Sequence, residues 1–248
     1  YNAYSILKTG KDISGNFMPV HLKSFLYSPA GYSYSSIPWI ALFGLSAFSV
    51  RFSSALFGTL TVLLIFYLVK NLFRDHPLKE HIAILASLFL ALSPWHINLS
   101  RTVTENILVV FFITLGVLCY RSWRDEKSVY YLLASFASFA LTLIIYQAPR
   151  AFLPLFIPLL ILLFRPKDKR GPSSALPIIL FFITILLPIY AIVRSPELSL
   201  RLKTVSIFAT AENQLVIDEQ AREDGVLENS IFTTRFYHNK VRSYFEQF

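Results

Sequence analysis

Six apolar runs, separated by short polar segments, constrain what this chain can fold into more than any other feature. They lie at about 52–69, 82–95, 105–120, 129–146, 151–164 and 175–193. A helix needs roughly 20 predominantly apolar residues to cross the hydrocarbon core of a bilayer. Several of the runs fall a little short and must recruit flanking Tyr, Trp and Ser residues. In lipid the backbone N–H and C=O groups must be satisfied inside the protein, so each run predicts a helix. The expected fold is all-α, a polytopic membrane protein with about six transmembrane helices. Pro149, Pro154 and Pro158 interrupt the 151–164 run. It is expected to kink or to share a re-entrant corner with residues 146–150.

The loops between the runs set the orientation. Lys70, Arg74 and Lys79 follow the first run, Arg121, Arg124 and Lys127 the third, and Arg165, Lys167, Lys169 and Arg170 the fifth. The alternate loops carry only Arg101 and Arg150. Lys and Arg accumulate in cytoplasmic loops, so residues 70–81, 121–128 and 165–174 are expected inside. The N-terminal segment, residues 94–104, residues 146–150 and the tail are expected outside. The net charge of +8 would suggest nucleic acid in a soluble chain. Here the basic residues flank apolar runs, so topology and lipid headgroups account for them and no nucleic-acid partner is expected. The one cysteine, Cys119, lies within a run, which excludes an intrachain disulfide and a cysteine metal site.

Three regions follow. Residues 1–50 read as a first external loop with interfacial helices. Tyr1 to Thr9 predicts a short amphipathic helix ended by Gly10, and residues 10–19 a loop. Residues 24–43 hold Phe25, Tyr27, Tyr32, Tyr34, Trp39 and Phe43 broken by Pro29, Gly31 and Pro38, and Tyr and Trp at this density favour the membrane–water interface over a span. Residues 51–193 form the transmembrane bundle. Residues 194–248 form an external tail with an amphipathic helix near 212–223, whose acidic cluster Asp218, Glu219, Glu223 and Asp224 reads as a solvated face. The chain lacks an initiator Met and a signal peptide, and is expected to be a piece of a longer protein.

The chemistry gathers on the outer side. In the stretch Pro94-Trp-His-Ile-Asn-Leu-Ser-Arg-Thr-Val-Thr-Glu-Asn106, Arg101 and Glu105 stand four residues apart. On one helix they would project from one face. A carboxylate at the edge of lipid must be paired, solvated or bound to a ligand, so the two are either a structural pair or part of a site. His96, Tyr146 and Arg150 lie at outer ends of runs, and aromatic residues including Tyr27 precede them. No phosphate loop, Ser–His–Asp signature, zinc spacing or dinucleotide fingerprint is present. One acid, several Arg and many aromatics suit a ligand with a lipid tail, a phosphate and a sugar. A carboxylate could hold a divalent cation against a phosphate leaving group.

The phrases Tyr1-Asn-Ala-Tyr-Ser-Ile-Leu-Lys-Thr-Gly10, Ile40-Ala-Leu-Phe-Gly-Leu-Ser-Ala-Phe-Ser-Val-Arg-Phe-Ser-Ser-Ala-Leu-Phe-Gly-Thr-Leu-Thr-Val62 and Leu92-Ser-Pro-Trp-His-Ile-Asn-Leu-Ser-Arg101 resemble bacterial membrane glycosyltransferases. These are of the protein O-mannosyltransferase and aminoarabinose-transferase type, in the GT-C superfamily. The tail phrase Phe236-Tyr-His-Asn-Lys240 is similar to bacterial members too.

The resemblance implies inverting transfer of a sugar from a polyprenyl-phosphate donor to a protein, lipid or glycan acceptor, at the outer face of a bacterial inner membrane. It implies that Glu105 is the second acid of the site and a possible metal ligand. Arg101 then becomes its partner or a phosphate contact. His96, Tyr146, Arg150 and Tyr27 are candidate substrate contacts, with His96 reading first as a helix-end His satisfied by backbone, and Tyr146 and Arg150 equally as interfacial anchors. The family's catalytic Asp would stand upstream of Tyr1, together with the first transmembrane helix, so this segment alone is expected to be inactive. Ser28 occupies the place where some relatives carry a phosphate-binding Lys, so an Arg would have to substitute. Arg51 matches a family Arg but reads better as an interfacial anchor. The reading from another class is a non-catalytic transporter or flippase with a midplane polar site.

Overall fold

The computed structural model describes residues 1–22, 28–164 and 176–194. The chain divides into two units, Tyr1–Ile189 and Tyr190–Phe248. Of the second, only the end of one helix lies among the described residues, and the expected tail helix and acidic cluster lie outside them.

The first unit opens on α1 (Asn2–Thr9), a two-residue antiparallel pair of β1 (His21–Leu22) and β2 (Ser28–Pro29), and α2 (Gly31–Phe43). Gly10 ends α1 in the left-handed conformation at φ 70°, and its N–H bonds the Ile6 carbonyl. A residue without Cβ adopts this geometry at no steric cost. The loop that follows is held by Asp12, whose carboxylate accepts from the Asn16 backbone N–H at 2.8 Å and the Asn16 amide at 3.1 Å. Ile6, Leu22 and Ala30 form a small core that fastens α1 and the hairpin onto α2.

Six helices or helix pairs then occupy the six apolar runs: α3 (Ala47–Leu72), α4 (Lys79–Leu92) with α5 (Pro94–Arg101), α6 (Asn106–Glu126), α7 (Val129–Ile145), α8 (Ala148–Leu163) and α9 (Leu176–Arg194). Among the described residues, α3 and α6 are long and apolar enough to cross a membrane, and α4 with α5 makes a third if a bent pair counts as one span. At 1.5 Å per residue α7 and α8 reach only about 26 and 24 Å, against a hydrocarbon core of about 30 Å. Among the described residues, then, two to three helices meet the length and composition of a span beside several shorter apolar helices, and the expected six are not established.

The local causes are legible. Ser46 and Ser49 cap α3 reciprocally, each side chain accepting from the other's backbone N–H. Pro94 disfavours helical backbone at Ser93, which is extended at ψ 121°. The chain bends there by 59° between α4 and α5. Residues 94–101, expected as loop, are thus a helix. Pro149 sits in the first turn of α8, where no N–H is needed, and Pro154 and Pro158 are carried inside one continuous helix.

The main core lies between α6, α7 and α8, around Tyr120, Phe139, Leu153 and Ile157. A second cluster, Tyr32, Ile107, Leu108, Val109 and Ile145, joins α2 to the facing ends of α6 and α7. Gly31 makes that junction possible. A Cβ built there would stand 2.6 Å from the Ile145 Cα, a backbone atom that cannot yield.

Gly31→Ala is expected to lower thermal stability in detergent by about 1–3 kcal/mol, the cost of overpacking a closed contact. It should also speed proteolysis of residues 10–30, because α2 can no longer seat on α7. A melting temperature and cleavage pattern equal to wild type would contradict this account of the junction.

Candidate functional site

The bundle has two chemically different ends. At one, the basic loops are cross-linked: Arg74 Nη1 meets Asp125 Oδ2 at 2.8 Å, Arg121 meets Asp125 Oδ1 at 3.0 Å, and Lys70 meets Glu80 at 2.8 Å. At the other end lie Tyr32, His96, Arg101, Glu105, Tyr146 and Arg150, carried by α2 and by the ends of α5 to α8.

Glu105 occupies the residue before α6, with helical backbone (φ −67°, ψ −24°), and its side chain makes no cap hydrogen bond. It is half-buried. A carboxylate here benefits from the positive end of the helix dipole. Arg101 is the last residue of α5, and Thr102 leaves the helix in extended conformation at ψ 157°. The pair therefore does not share one helix face, as the spacing of four suggests, because the helix stops between them. Among the described residues neither makes an ion pair.

Behind Glu105 stands Tyr32, which the sequence does not single out. Its hydroxyl donates to the Val50 carbonyl at 2.8 Å and pairs with Ser54 Oγ at 2.7 Å. Burial pushes the Tyr32 phenol above its ordinary range; the Ser54 bonds offset part of this and the Glu105 charge adds to it. Tyr32 thus stays a neutral phenol that ties α2 to α3 beside the acid. Tyr146 ends α7 in extended conformation and packs on the same cluster.

Close contact between α3 and α5 places His96 and Arg101. His96 is buried, and its Nε2 lies 3.1 Å from the Gly58 carbonyl. That partner, a carbonyl, makes Nε2 the donor and satisfies that nitrogen without a ligand. A Cβ on Gly58 would collide with Ser100, so glycine alone allows this approach. A cavity of about 440 Å³ opens alongside, lined by Ala55, Gly58, Val62, Ile97, Ser100 and Arg101 among others. Its walls are mostly apolar, and its charged lining residue is Arg101, which is exposed.

Arg150 is held from two sides. Its Nε donates to the Leu143 carbonyl at 3.0 Å, and Nη2 approaches His21 Nε2 at 3.2 Å. It joins the β1 segment to the α7–α8 corner, a tie across a sequence separation of 129 that the sequence does not reveal. Tyr27 lies outside the described residues. Among the described residues no three His, Cys, Asp or Glu side chains gather. Glu105 offers one carboxylate to a divalent cation, which alone is no metal centre.

Residues 37–193 match the model of a family described as dolichyl-phosphate-mannose-protein mannosyltransferase. The match takes in His96, Arg101, Glu105, Tyr146 and Arg150 and leaves out α1 and the hairpin. No curated protein and no solved structure matches the chain.

Tyr32→Phe removes a buried hydroxyl and with it the bonds to the Val50 carbonyl and Ser54 Oγ, at an expected cost of about 1 kcal/mol. The raised phenol ionisation gives the linkage its sign. The folded form holds its proton more tightly than the unfolded chain, so stability is complete below about pH 10 and falls as pH rises through the folded value. Thermal melts at rising pH should show this alkaline loss in wild type and a smaller one in Tyr32→Phe. Parallel alkaline slopes would remove Tyr32 from the account.

Proposed function

The chain belongs to the dolichyl-phosphate-mannose-protein mannosyltransferase family, a family of membrane glycosyltransferases, and from that premise we propose that it forms part of the site for sugar transfer from a polyprenyl-phosphate donor on the outer face of the membrane. The observation that carries this reading is Glu105. It is a half-buried carboxylate at a helix N-terminus, without an ion pair among the described residues, inside the matched segment.

The proposed division of labour assigns each residue the role its chemistry suits. Arg101 presents a guanidinium at an apolar cavity, which suits a phosphate attached to an isoprenoid stretch. In an inverting transfer the acceptor oxygen bonds to the sugar C1 as the C1–O bond to phosphate breaks. The acceptor proton goes to a base, and negative charge builds on the departing polyprenyl phosphate. Glu105 acts as the second acid of the site, either orienting the acceptor or supplying one oxygen to a divalent cation, and no step here is routed through a metal. Arg101 offsets the phosphate charge. Arg150, fixed by Leu143 and His21, and Tyr146 stand at the α7–α8 corner, outside the lining of that cavity, and are the further candidates for donor contact. His96 positions α5 through Gly58 and in this way sets where Arg101 stands. The acceptor class is protein, lipid or glycan.

The test is release of polyprenyl phosphate by the intact protein, purified in detergent and supplied with a panel of polyprenyl-phosphate sugars. Glu105→Gln should lower turnover at least about tenfold, roughly 1.4 kcal/mol in the barrier. Arg101→Ala should act mainly on the KM for donor. Turnover indifferent to Glu105→Gln would reduce that residue to a helix-end carboxylate. No turnover with any donor, beside specific binding of a small solute, would favour transport instead.

A further inference from the structure

The cross-linked end of the bundle holds a second cavity of about 440 Å³, between the end of α3, the start of α4, α6 and α7. Its charged lining residues are all cations: Lys70, Arg74 and Lys79. Part of its wall is apolar or aromatic, with Tyr67 and Leu118. Asn71 also lines it, and the Asn71 Oδ1 is buried with no hydrogen-bond partner.

Each feature specifies part of an occupant. The carboxylates that pair with these cations, Glu80, Asp75 and Asp125, lie outside the lining. The Lys70–Glu80 pair is exposed on both sides, and such pairs are weak, so Lys70 can turn to a better anion. Lys79 makes no ion pair among the described residues; its Nζ reaches only the Arg74 carbonyl at 3.4 Å. A buried acceptor without a partner calls for a donor from elsewhere. An anionic group that also carries a hydroxyl donor, attached to an apolar tail that can run down past Tyr67 and Leu118, meets all three demands.

We propose that this cavity binds the headgroup of an anionic glycerophospholipid from the leaflet next to the basic loops. Lys70, Arg74 and Lys79 surround the phosphodiester, Asn71 Oδ1 accepts from a headgroup hydroxyl, and the acyl chains lie along the exposed face of α3, where Leu63 and Tyr67 are open. The site is at the opposite end of the bundle from Glu105 and does not depend on the transfer reaction.

Short-chain phosphatidylglycerol, phosphatidic acid and phosphatidylcholine are titrated onto the intact protein in mild detergent, and bound lipid is read by native mass spectrometry. Wild type should bind one phosphatidylglycerol, with phosphatidylcholine at least about tenfold weaker. Lys70→Ala/Lys79→Ala should weaken phosphatidylglycerol about thirtyfold, or about 2 kcal/mol. The charge-conserving Lys70→Arg/Lys79→Arg should restore most of it, which separates lost charge from lost fold. Asn71→Leu, with no change of charge, should weaken phosphatidylglycerol and leave phosphatidic acid as it was. Equal binding of anionic and zwitterionic lipid, or binding indifferent to the double Ala change, would overturn the proposal. So would displacement of the lipid by millimolar inorganic phosphate, which would make the cavity a free-anion site.

Discussion

Close approach along one face of α3 is the condition on which the rest depends. Ser49, Ser53, Ser54, Gly58 and Thr61 are its buried residues, and each is small. Apolar helices in lipid gain nothing from hiding more apolar surface, so they associate by tight van der Waals contact and a few interhelical hydrogen bonds. Small residues permit both. Ser53 donates to Ser35 at 2.9 Å and Ser54 pairs with Tyr32, which fixes α2. Gly58 admits Ser100 and offers its carbonyl to His96, which fixes α5. Phe57 meets Phe111 at 4.9 Å between ring centroids, on α6. The face itself holds no acid, base or cation, yet it decides where Tyr32, His96 and Arg101 stand.

Much of this architecture can be read from the residues, because its causes are local. Gly10 ends α1 where a left-handed residue is needed, and the apolar runs mark where helices form. The α4–α5 bend was only half legible. Pro94 signals an end to helical backbone at Ser93, but the same residue at a first helical position starts a new helix, and both occur. The spacing of Arg101 and Glu105 misled for a related reason: the pattern of four assumes an unbroken helix, and Thr102 to Thr104 break it. The number of crossings was not fixed by composition. An apolar helix of 16 or 17 residues, such as α8 or α7, carries the same composition as a span without its length.

What escaped the sequence is what joins distant segments. Tyr32 reads as one more interfacial aromatic until Ser54, 22 residues on, comes to its hydroxyl. His21 has no local signature at all, since its partner Arg150 is placed by the turn from α7 into α8. The small residues of α3 were visible, and their spacing could have marked a contact face, but which helices would use it is a tertiary matter. Chemistry-bearing residues at helix ends were easier to find than the packing that orients them.

The two ends of the bundle treat charge in opposite ways, and the contrast bears on function. Where the loops are basic, Asp125 takes two arginines and Glu80 a lysine. Arg74 is held by Asp125 there, so an anion at that end is met first by Lys70, whose pair is exposed, and by Lys79, which makes no ion pair among the described residues. At the other end the cation and the acid stand apart. Thr102 to Thr104 hold Arg101 and Glu105 on separate helices, and neither makes an ion pair among the described residues. The break in the helix is therefore more than a loop. It prevents the i,i+4 pairing that the sequence would otherwise favour, and so leaves each charge uncommitted to the other, as the proposed transfer requires.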